Sequence, residues 1–362
     1  MSTSTQFHDL TVSHISPEAE GAVAVSLSIP PALRDTFAFK PGQYLTLRAT
    51  IDGHDVRRSY SICSSQQLLT QQGQLQVGIR AVAGGVFSNW AVQQLQVGDV
   101  LRVMPPQGRF CVQRERAIHR VGFAAGSGIT PILSIMTSTL AEQPDSKFTL
   151  VYGNRRMSSL MFNEALQDLK DSYPDRLTLI HILSRQAQEV PLLEGRIDGD
   201  KVRALMDAFL PVPSMDEVFI CGPEAMIDAT EAALLQAGVS DKRIHTERFT
   251  SSTPAPVKTE SRSDASEAQK PIALRIVLDG KPYDMRMNPD EHVLDVALNH
   301  GLDLPYSCKG GVCCTCRAKV MQGTVEMSKN FTLEPGEMEQ GFVLSCQARA
   351  TSDAVVVSYD ER

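Results

Sequence analysis

Cys308-Lys309-Gly310-Gly311-Val312-Cys313-Cys314-Thr315-Cys316, with Cys346 thirty positions on, is the most informative stretch of this 362-residue chain. Cys308, Cys313 and Cys316 form C-x4-C-x2-C. With one distant cysteine, that is the spacing of a plant-type [2Fe–2S] site. Soft thiolate ligands are what iron–sulfur clusters require. Gly310 and Gly311 suit a loop wrapped on a cluster, because the absent Cβ frees the backbone angles and lets amides approach the sulfides. Such N–H contacts help set a reduction potential. A structural zinc site is the alternative, but it usually draws on paired C-x2-4-C elements. Here there is one C-x2-C pair and a solitary fourth cysteine. The expected metal ligands are therefore Cys308, Cys313, Cys316 and Cys346. Cys314 is read as a buried thiol outside the set; the register Cys308, Cys314, Cys316 would give an unfamiliar C-x5-C-x-C. Leu274–Leu278 followed by Asp279-Gly280 reads as a hairpin start, and Val293–Leu298 as a short helix. Together they suggest a β-grasp α+β domain.

Moving toward the N-terminus, Ser251–Lys270 breaks the texture. It is rich in Ser, Thr, Pro and Ala and lacks aromatics, so it cannot bury enough apolar surface to fold alone. It reads as a flexible linker spanning roughly 25 Å. The body before it divides again. Residues 7 to about 113 carry short alternating apolar runs (Val23–Leu27, Tyr44–Leu47, Leu75–Ile79, Val100–Val103) separated by Pro41-Gly42 and Asp52-Gly53 turns. That is the pattern of an antiparallel barrel or sandwich. Residues 120 to 250 alternate strand-like runs (Phe148–Val151, Leu177–Leu183, Val218–Ile220) with helix-length segments, the pattern of a parallel α/β sheet. The expected organisation is multi-domain: an antiparallel β-barrel (1–113), an α/β parallel-sheet nucleotide domain (114–250), the linker (251–270) and the β-grasp domain (271–362).

Several motifs in the body bear on cofactors. Arg57-Arg58-Ser59-Tyr60-Ser61 follows a strand. A flavin site wants a cation for the pyrophosphate, an aromatic face for the ring and a hydroxyl near N5, and Arg58, Tyr60 and Ser61 supply these. Alternation puts Arg58 and Tyr60 on one face. The plainer reading is one exposed Arg and one core Tyr. Gly84-Gly85-Val86-Phe87-Ser88 adds a Gly-rich turn opening a helix, whose amides suit a phosphate. In the α/β segment, Val121–Pro131 reads as a strand, the loop Gly126-Ser127-Gly128 and a proline-started helix that includes Thr130. It does not match G-x-G-x-x-G. Cys221-Gly222-Pro223 ends another strand and opens another helix. Two such loops at strand carboxyl ends fit ligand binding there; Cys221 is either a structural thiol or a neighbour of a nicotinamide. Arg155-Arg156 and Ser184-Arg185 are candidates for a 2′-phosphate, because the guanidinium fork matches phosphate. Their plainer reading is surface arginine. They favour NADPH, with NADH possible.

The bulk numbers exclude other classes. With 35 basic and 42 acidic side chains the formal charge is −7, which argues against nucleic-acid binding. Val121–Ala141 is uncharged and long enough for a membrane span, but its Gly, Ser, Thr and Pro content fits the strand, loop and helix above. Met1–Leu10 lacks an apolar core, so a secretory leader is not expected. A cytoplasmic, reducing setting is, and eight cysteines there favour metal or redox roles. No H-E-x-x-H or G-x-S-x-G element is present.

Taken together the motifs resemble the ferredoxin–NADP+ reductase superfamily with a ferredoxin domain at the C-terminus, over essentially the whole chain. The resemblance implies FAD held by Arg58, Tyr60 and Ser61. It implies a nicotinamide site lined by Gly126, Thr130 and Cys221–Pro223. Glu247-Arg248-Phe249 would close the body beside the flavin, with Phe249 on the ring. The residues nearest the chemistry would be Tyr60, Ser61, Cys221 and Phe249. It also implies an electron-accepting oxygenase component, of the di-iron phenylacetyl-CoA epoxidase type; Arg57–Cys63, Gly84–Ser88, Met104–Phe110, Cys308–Cys313 and Val343–Arg349 carry that finer likeness. Another oxygenase or a hybrid-cluster protein as acceptor, and a redox sensor that does not conduct, are the alternatives. The tail from Pro271 holds 9 basic and 13 acidic residues, an acidic face suited to a basic patch on such a partner.

Overall fold

The computed structural model describes residues 6–112, 118–249 and 271–361. They form two compact units, Gln6–Phe249 and one built from residues 271–361. The expected linker and the expected boundary near residue 113 lie outside the described residues.

The first unit opens with six antiparallel strands: β1 (His8–Ala19), β2 (Ala22–Ser28), β3 (Tyr44–Ile51), β4 (His54–Ser61), β5 (Gln74–Arg80) and β6 (Val100–Val103), in the order β4-β3-β6-β1-β2-β5. The two edges meet through an Ile62–Val77 bridge, so the sheet closes on itself. The hairpin at Asp52-Gly53 takes positive φ at both residues (51° and 78°), the two-residue turn that matches strand twist. Leu10, Val25, Leu45, Leu47, Val77 and Phe37 fill the interior. Helices α1 (Gln66–Gln72) and α2 (Val86–Gln93) interrupt the strands.

The same unit continues with β7 (His119–Ala125), α3 (Ile129–Glu142), β8 (Lys147–Asn154), α4 (Asn163–Ser172), β9 (Leu177–Leu183), α5 (Gly199–Ala208), β10 (Glu217–Gly222), α6 (Glu224–Gln236) and β11 (Ile244–Arg248). The five strands are parallel, in the order β11-β10-β7-β8-β9. The apolar run of β7 is buried on both faces, as central parallel strands are. The chain leaves β7 toward β8 and β9, then returns to β10 on the other side. This reversal puts a crevice at the carboxyl ends of β7 and β10, where such sheets bind ligands. The loop after β7 is tighter than expected: Gly126–Gly128 forms a single turn running straight into α3, and Pro131 sits in the first helical turn rather than opening it.

At the opposite end of this sheet, Arg120 and Glu217 form an ion pair of 2.8 Å with both side chains essentially inaccessible. Arg120 also donates to Gln143 Oε1, and His245 lies 3.6 Å from the second Glu217 oxygen.

The second unit contains β12 (Ile272–Leu278), β13 (Lys281–Met287), α7 (Val293–Asn299), β14 (Arg317–Gln322), β15 (Val325–Met327), α8 (Pro335–Glu339), β16 (Phe342–Leu344), β17 (Ala348–Ala350) and β18 (Ala354–Ser358). Its main sheet runs β13-β12-β18-β14-β16, with β12 and β18 parallel. Asp279-Gly280 again takes positive φ at both turn residues (52° and 72°). α7 lays Val293, Leu294, Val296 and Ala297 on a core that includes Ile276, Ala318, Leu344 and Val357.

Candidate functional site

The barrel and the parallel sheet meet through named contacts. Ser134 Oγ donates to the Ser64 carbonyl at 2.7 Å, Arg80 to the Ser159 carbonyl at 2.7 Å, and the Phe162 amide to Glu18 at 3.1 Å. A Cβ at Gly78 would collide with Thr130 and Phe162, so glycine lets β5 lie against α3.

Along this seam the expected site residues come together. In β4, Ser61 is 3% exposed, and Arg58 and Tyr60 share the alternate face. Tyr60 packs against Phe87 of α2 with ring centroids 5.6 Å apart, and Phe87 meets Trp90 edge-on at 5.5 Å. Gly84 takes a positive φ of 71°, and a Cβ at Gly85 would strike Val82 and Ser88. Close approach therefore requires glycine where the chain delivers the amides of Val86, Phe87 and Ser88. The first amides of a helix have no intrahelical partner. Across the crevice, Gly126 takes φ 55°, and a Cβ at Gly128 would overlap the Cys221 carbonyl. That contact seats the loop after β7 directly on the loop after β10. The Thr130 hydroxyl donates to the Ser127 carbonyl at 2.9 Å, and Tyr152 donates to the Gly126 carbonyl at 2.9 Å.

Sequence reasoning placed Glu247 only loosely beside the flavin; the structure gives it a definite position. Ser61 Oγ donates to Glu247 Oε2 at 2.9 Å, joining residues 186 apart. In the β10–β11 ladder Glu247 stands opposite Cys221. Part of the Glu247 residue surface stays open, yet its carboxyl is closely surrounded, and burial raises its pKa to about 8 against the lowering effect of the Ser61 hydrogen bond. Burial, with the nearby Glu247 carboxyl adding to it, pushes up the thiols of Cys221 and Cys111, the latter to about 12. Both cysteines are neutral, and neither is a thiolate nucleophile. A lone glutamate at a strand end has no sequence signature; only the strand register connects it to Cys221. The next residue, Arg248, turns to α6 and pairs with Asp228 at 2.6 Å. Phe249 is 40% exposed at the end of the unit.

Arg155 and Ser184-Arg185 leave neighbouring strands at the same end of the sheet. The Arg185 amide donates to the Arg155 carbonyl at 2.9 Å, and both arginines are exposed. The backbone pairing sets the two residues side by side.

In the second unit the four expected ligands associate two by two. Cys308 is hydrogen-bonded with Cys313, and Cys316 with Cys346. Among the described residues no three His, Cys, Asp or Glu side chains are grouped as a single ion would require. Two thiol pairs fit a [2Fe–2S] cluster, whose four cysteines serve two irons. The hydrogen bond from Cys313 draws the Cys308 pKa down, aided by the amides of Gly310, Val312 and Cys313. The Gly310 amide lies 3.3 Å from Cys308 Sγ. The hydrogen bond from Cys316 lowers Cys346 in the same way. Lys309 and Cys314 hold positive φ (49° and 51°), as does Gly311. Lys309 is anchored to Asp295 at 2.7 Å, and hydrogen bonds from His292 first and then Lys309 hold the Asp295 carboxyl down to about 2. Gln347 donates to the Lys309 carbonyl at 3.0 Å. Donors aimed at sulfur and a braced loop are what an anionic cluster needs.

This fold and these sites define an oxidoreductase built from flavin, nicotinamide and iron–sulfur domains. Family models agree: an oxidoreductase FAD-binding domain matches residues 21–112, an oxidoreductase NAD-binding domain 123–232, and a 2Fe-2S iron-sulfur cluster binding domain 276–351. The chain is 45% identical, over 99% of its own length and of the relative's, to a subunit of the 1,2-phenylacetyl-CoA epoxidase of Escherichia coli (strain K12). It is 34% identical over 97% of its length, and 96% of the relative's, to the ferredoxin reductase component of 3-ketosteroid-9-alpha-monooxygenase from Rhodococcus rhodochrous. Phthalate dioxygenase reductase shares the fold across 97% of this chain and 98% of that one, at TM-score 0.60 and 21% identity. The chain belongs to the family of FAD- and [2Fe–2S]-dependent reductase components of oxygenase systems. No helix among the described residues is long and apolar enough to cross a membrane.

Proposed function

We propose that the chain takes electrons from NADPH and passes them through FAD and a [2Fe–2S] cluster to a di-iron oxygenase, that of the phenylacetyl-CoA 1,2-epoxidase complex of phenylacetate degradation. The observation that carries the reading is end-to-end similarity, at 45% identity, to a subunit of such an epoxidase. We further propose the segments 1–113, 114–250, 251–270 and 271–362 as flavin domain, nucleotide domain, linker and cluster domain, and a cytoplasmic location.

Bound flavin supplies the conversion of a two-electron donor into single electrons, and the cluster relays them one at a time. The protein's residues supply the rest. Arg58 and the amides of Gly85, Val86, Phe87 and Ser88 hold the pyrophosphate. Tyr60 would offer an aromatic face to the ring, and Phe249 would close the body beside it. Ser61 would lie beside the flavin N5, and Glu247, which accepts the Ser61 hydroxyl hydrogen bond at 2.9 Å, would hold or release a proton behind it. Gly126, Thr130, Cys221, Gly222 and Pro223 shape the nicotinamide crevice, and the neutral Cys221 thiol excludes water beside it. Arg155, Ser184 and Arg185 receive the 2′-phosphate. Cys308, Cys313, Cys316 and Cys346 hold the irons.

Anaerobic titration of the purified protein with NADPH and then NADH, followed by coupling to purified oxygenases, tests the proposal. Flavin and cluster bands bleached preferentially by NADPH, with turnover of the phenylacetyl-CoA epoxidase oxygenase, are expected. Turnover only with a ketosteroid-type oxygenase would transfer the acceptor assignment to the second group of relatives. Absent cluster bands with stoichiometric zinc would overturn the ligand reading.

A further inference from the structure

Ser345 precedes the distant ligand Cys346 and is wholly buried. Every hydrogen-bonding group it carries is engaged. Its amide donates to the Cys316 carbonyl at 3.1 Å, and its own carbonyl accepts the Leu294 amide of α7 at 3.1 Å. Its hydroxyl donates to the same Cys316 carbonyl at 2.9 Å and accepts a 2.6 Å hydrogen bond from the Tyr359 hydroxyl. Tyr359 is anchored in turn, its amide donating to Val277 of β12 at 2.9 Å. One buried serine thus joins both loops of the Cys316–Cys346 pair to α7 and to the residue that follows β18.

We propose that Tyr359 and Ser345 are positioning residues for the iron–sulfur centre, acting through the Cys316 carbonyl to raise its reduction potential and to hold the Cys316–Cys346 side of the site together. The inference rests on the cluster reading above. Both hydroxyl dipoles point their positive ends along the chain toward the peptide carbonyl of a ligand, and a chain of hydrogen bonds in a low-dielectric interior polarises each member. Electron density drawn into that carbonyl leaves the Cys316 thiolate less electron-rich, which favours the extra electron of the reduced cluster. Hydrogen bonding around ligands is an established lever on such centres. The aromatic ring of Tyr359 fills core space by itself; its hydroxyl is the part with a redox consequence.

The test uses the full-length protein with flavin and cluster bound, and the variants Tyr359→Phe, Ser345→Ala and the double variant. A spectroelectrochemical titration read by electron paramagnetic resonance gives the cluster potential, and an iron chelator gives the rate of iron loss. Tyr359→Phe, which removes one oxygen and keeps the ring, is expected to lower the reduced-to-oxidised ratio at fixed potential about fivefold, which at 59 mV per tenfold for one electron is roughly 40 mV. Iron loss should accelerate in the same variant. Ser345→Ala should move both readings further in the same direction, and the double variant should match Ser345→Ala alone, since both changes break one chain. A wild-type potential and iron-loss rate in Tyr359→Phe, or additive shifts in the double variant, would overturn the inference. Failure of the underlying reading looks different: wild-type protein itself would lack a [2Fe–2S] signal and iron.

Discussion

Glu247 has a pKa raised by burial to about 8, well above the usual carboxyl value of about 4.3. Between these values the folded protein holds a proton that the unfolded chain releases, so stability falls as pH rises through that window. Replacing Glu247 by Gln removes this loss. Thermal unfolding of Glu247→Gln against wild type should show a Tm advantage at pH 8 that shrinks toward pH 5. The same substitution should flatten the limb near pH 8 in the rate of flavin reduction by NADPH, while Ser61→Ala should slow the step by about 10², the low end of the scale for a positioned proton-transfer group. At this scale the legibility of the sequence was uneven. Arg58-Ser59-Tyr60-Ser61 stands out in the sequence because three chemistries fall on one short strand. Glu247 was legible only as part of a terminal segment, because its significance depends on two long-range facts, the register opposite Cys221 and the hydrogen bond to Ser61.

Strand order explains why the α/β elements could be located from sequence while their arrangement could not. Apolar runs such as Leu177–Leu183 match β9 residue for residue. Nothing in them says that β10 returns beside β7, and that return is what brings Cys221 onto Gly128. The Arg120–Glu217 pair ties these two central strands together at the end away from the site. Arg120→Met should destabilise the first unit by about 3–5 kcal/mol, because it strands a buried carboxylate; chemical denaturation followed by tryptophan emission from Trp90 measures this. At the other end of the sheet, the backbone bond between Arg155 and Arg185 holds the proposed phosphate site in register. Arg155→Ala and Arg185→Ala should each raise the KM for NADPH about ten- to a hundredfold, at 1.5–3 kcal/mol for a charged hydrogen bond, and leave that for NADH nearly unchanged. Equal losses with both nucleotides would remove these arginines from the 2′-phosphate site.

The described residues form two units, each with its own core. Cys308→Ser should therefore abolish the cluster signal and electron delivery to the oxygenase while flavin reduction by NADPH continues at near the wild-type rate. Stopped-flow absorbance at the flavin band checks this, and loss of both activities would mean the units depend on each other to fold. The tail charge of −4 predicts that transfer to the partner slows with salt as surface charges are screened. The Ser61–Glu247 hydrogen bond has a consequence for manufacture rather than for turnover. Its partners are 186 residues apart, so at 5–20 residues per second the ribosome needs roughly 10–40 s to supply the second after the first. During that interval the nascent barrel stands without the strand that completes its cofactor crevice. A flavin captured early would have to wait on an unfinished wall, and starvation that stalls translation in this interval would leave chains that bind flavin poorly, whatever the vitamin supply.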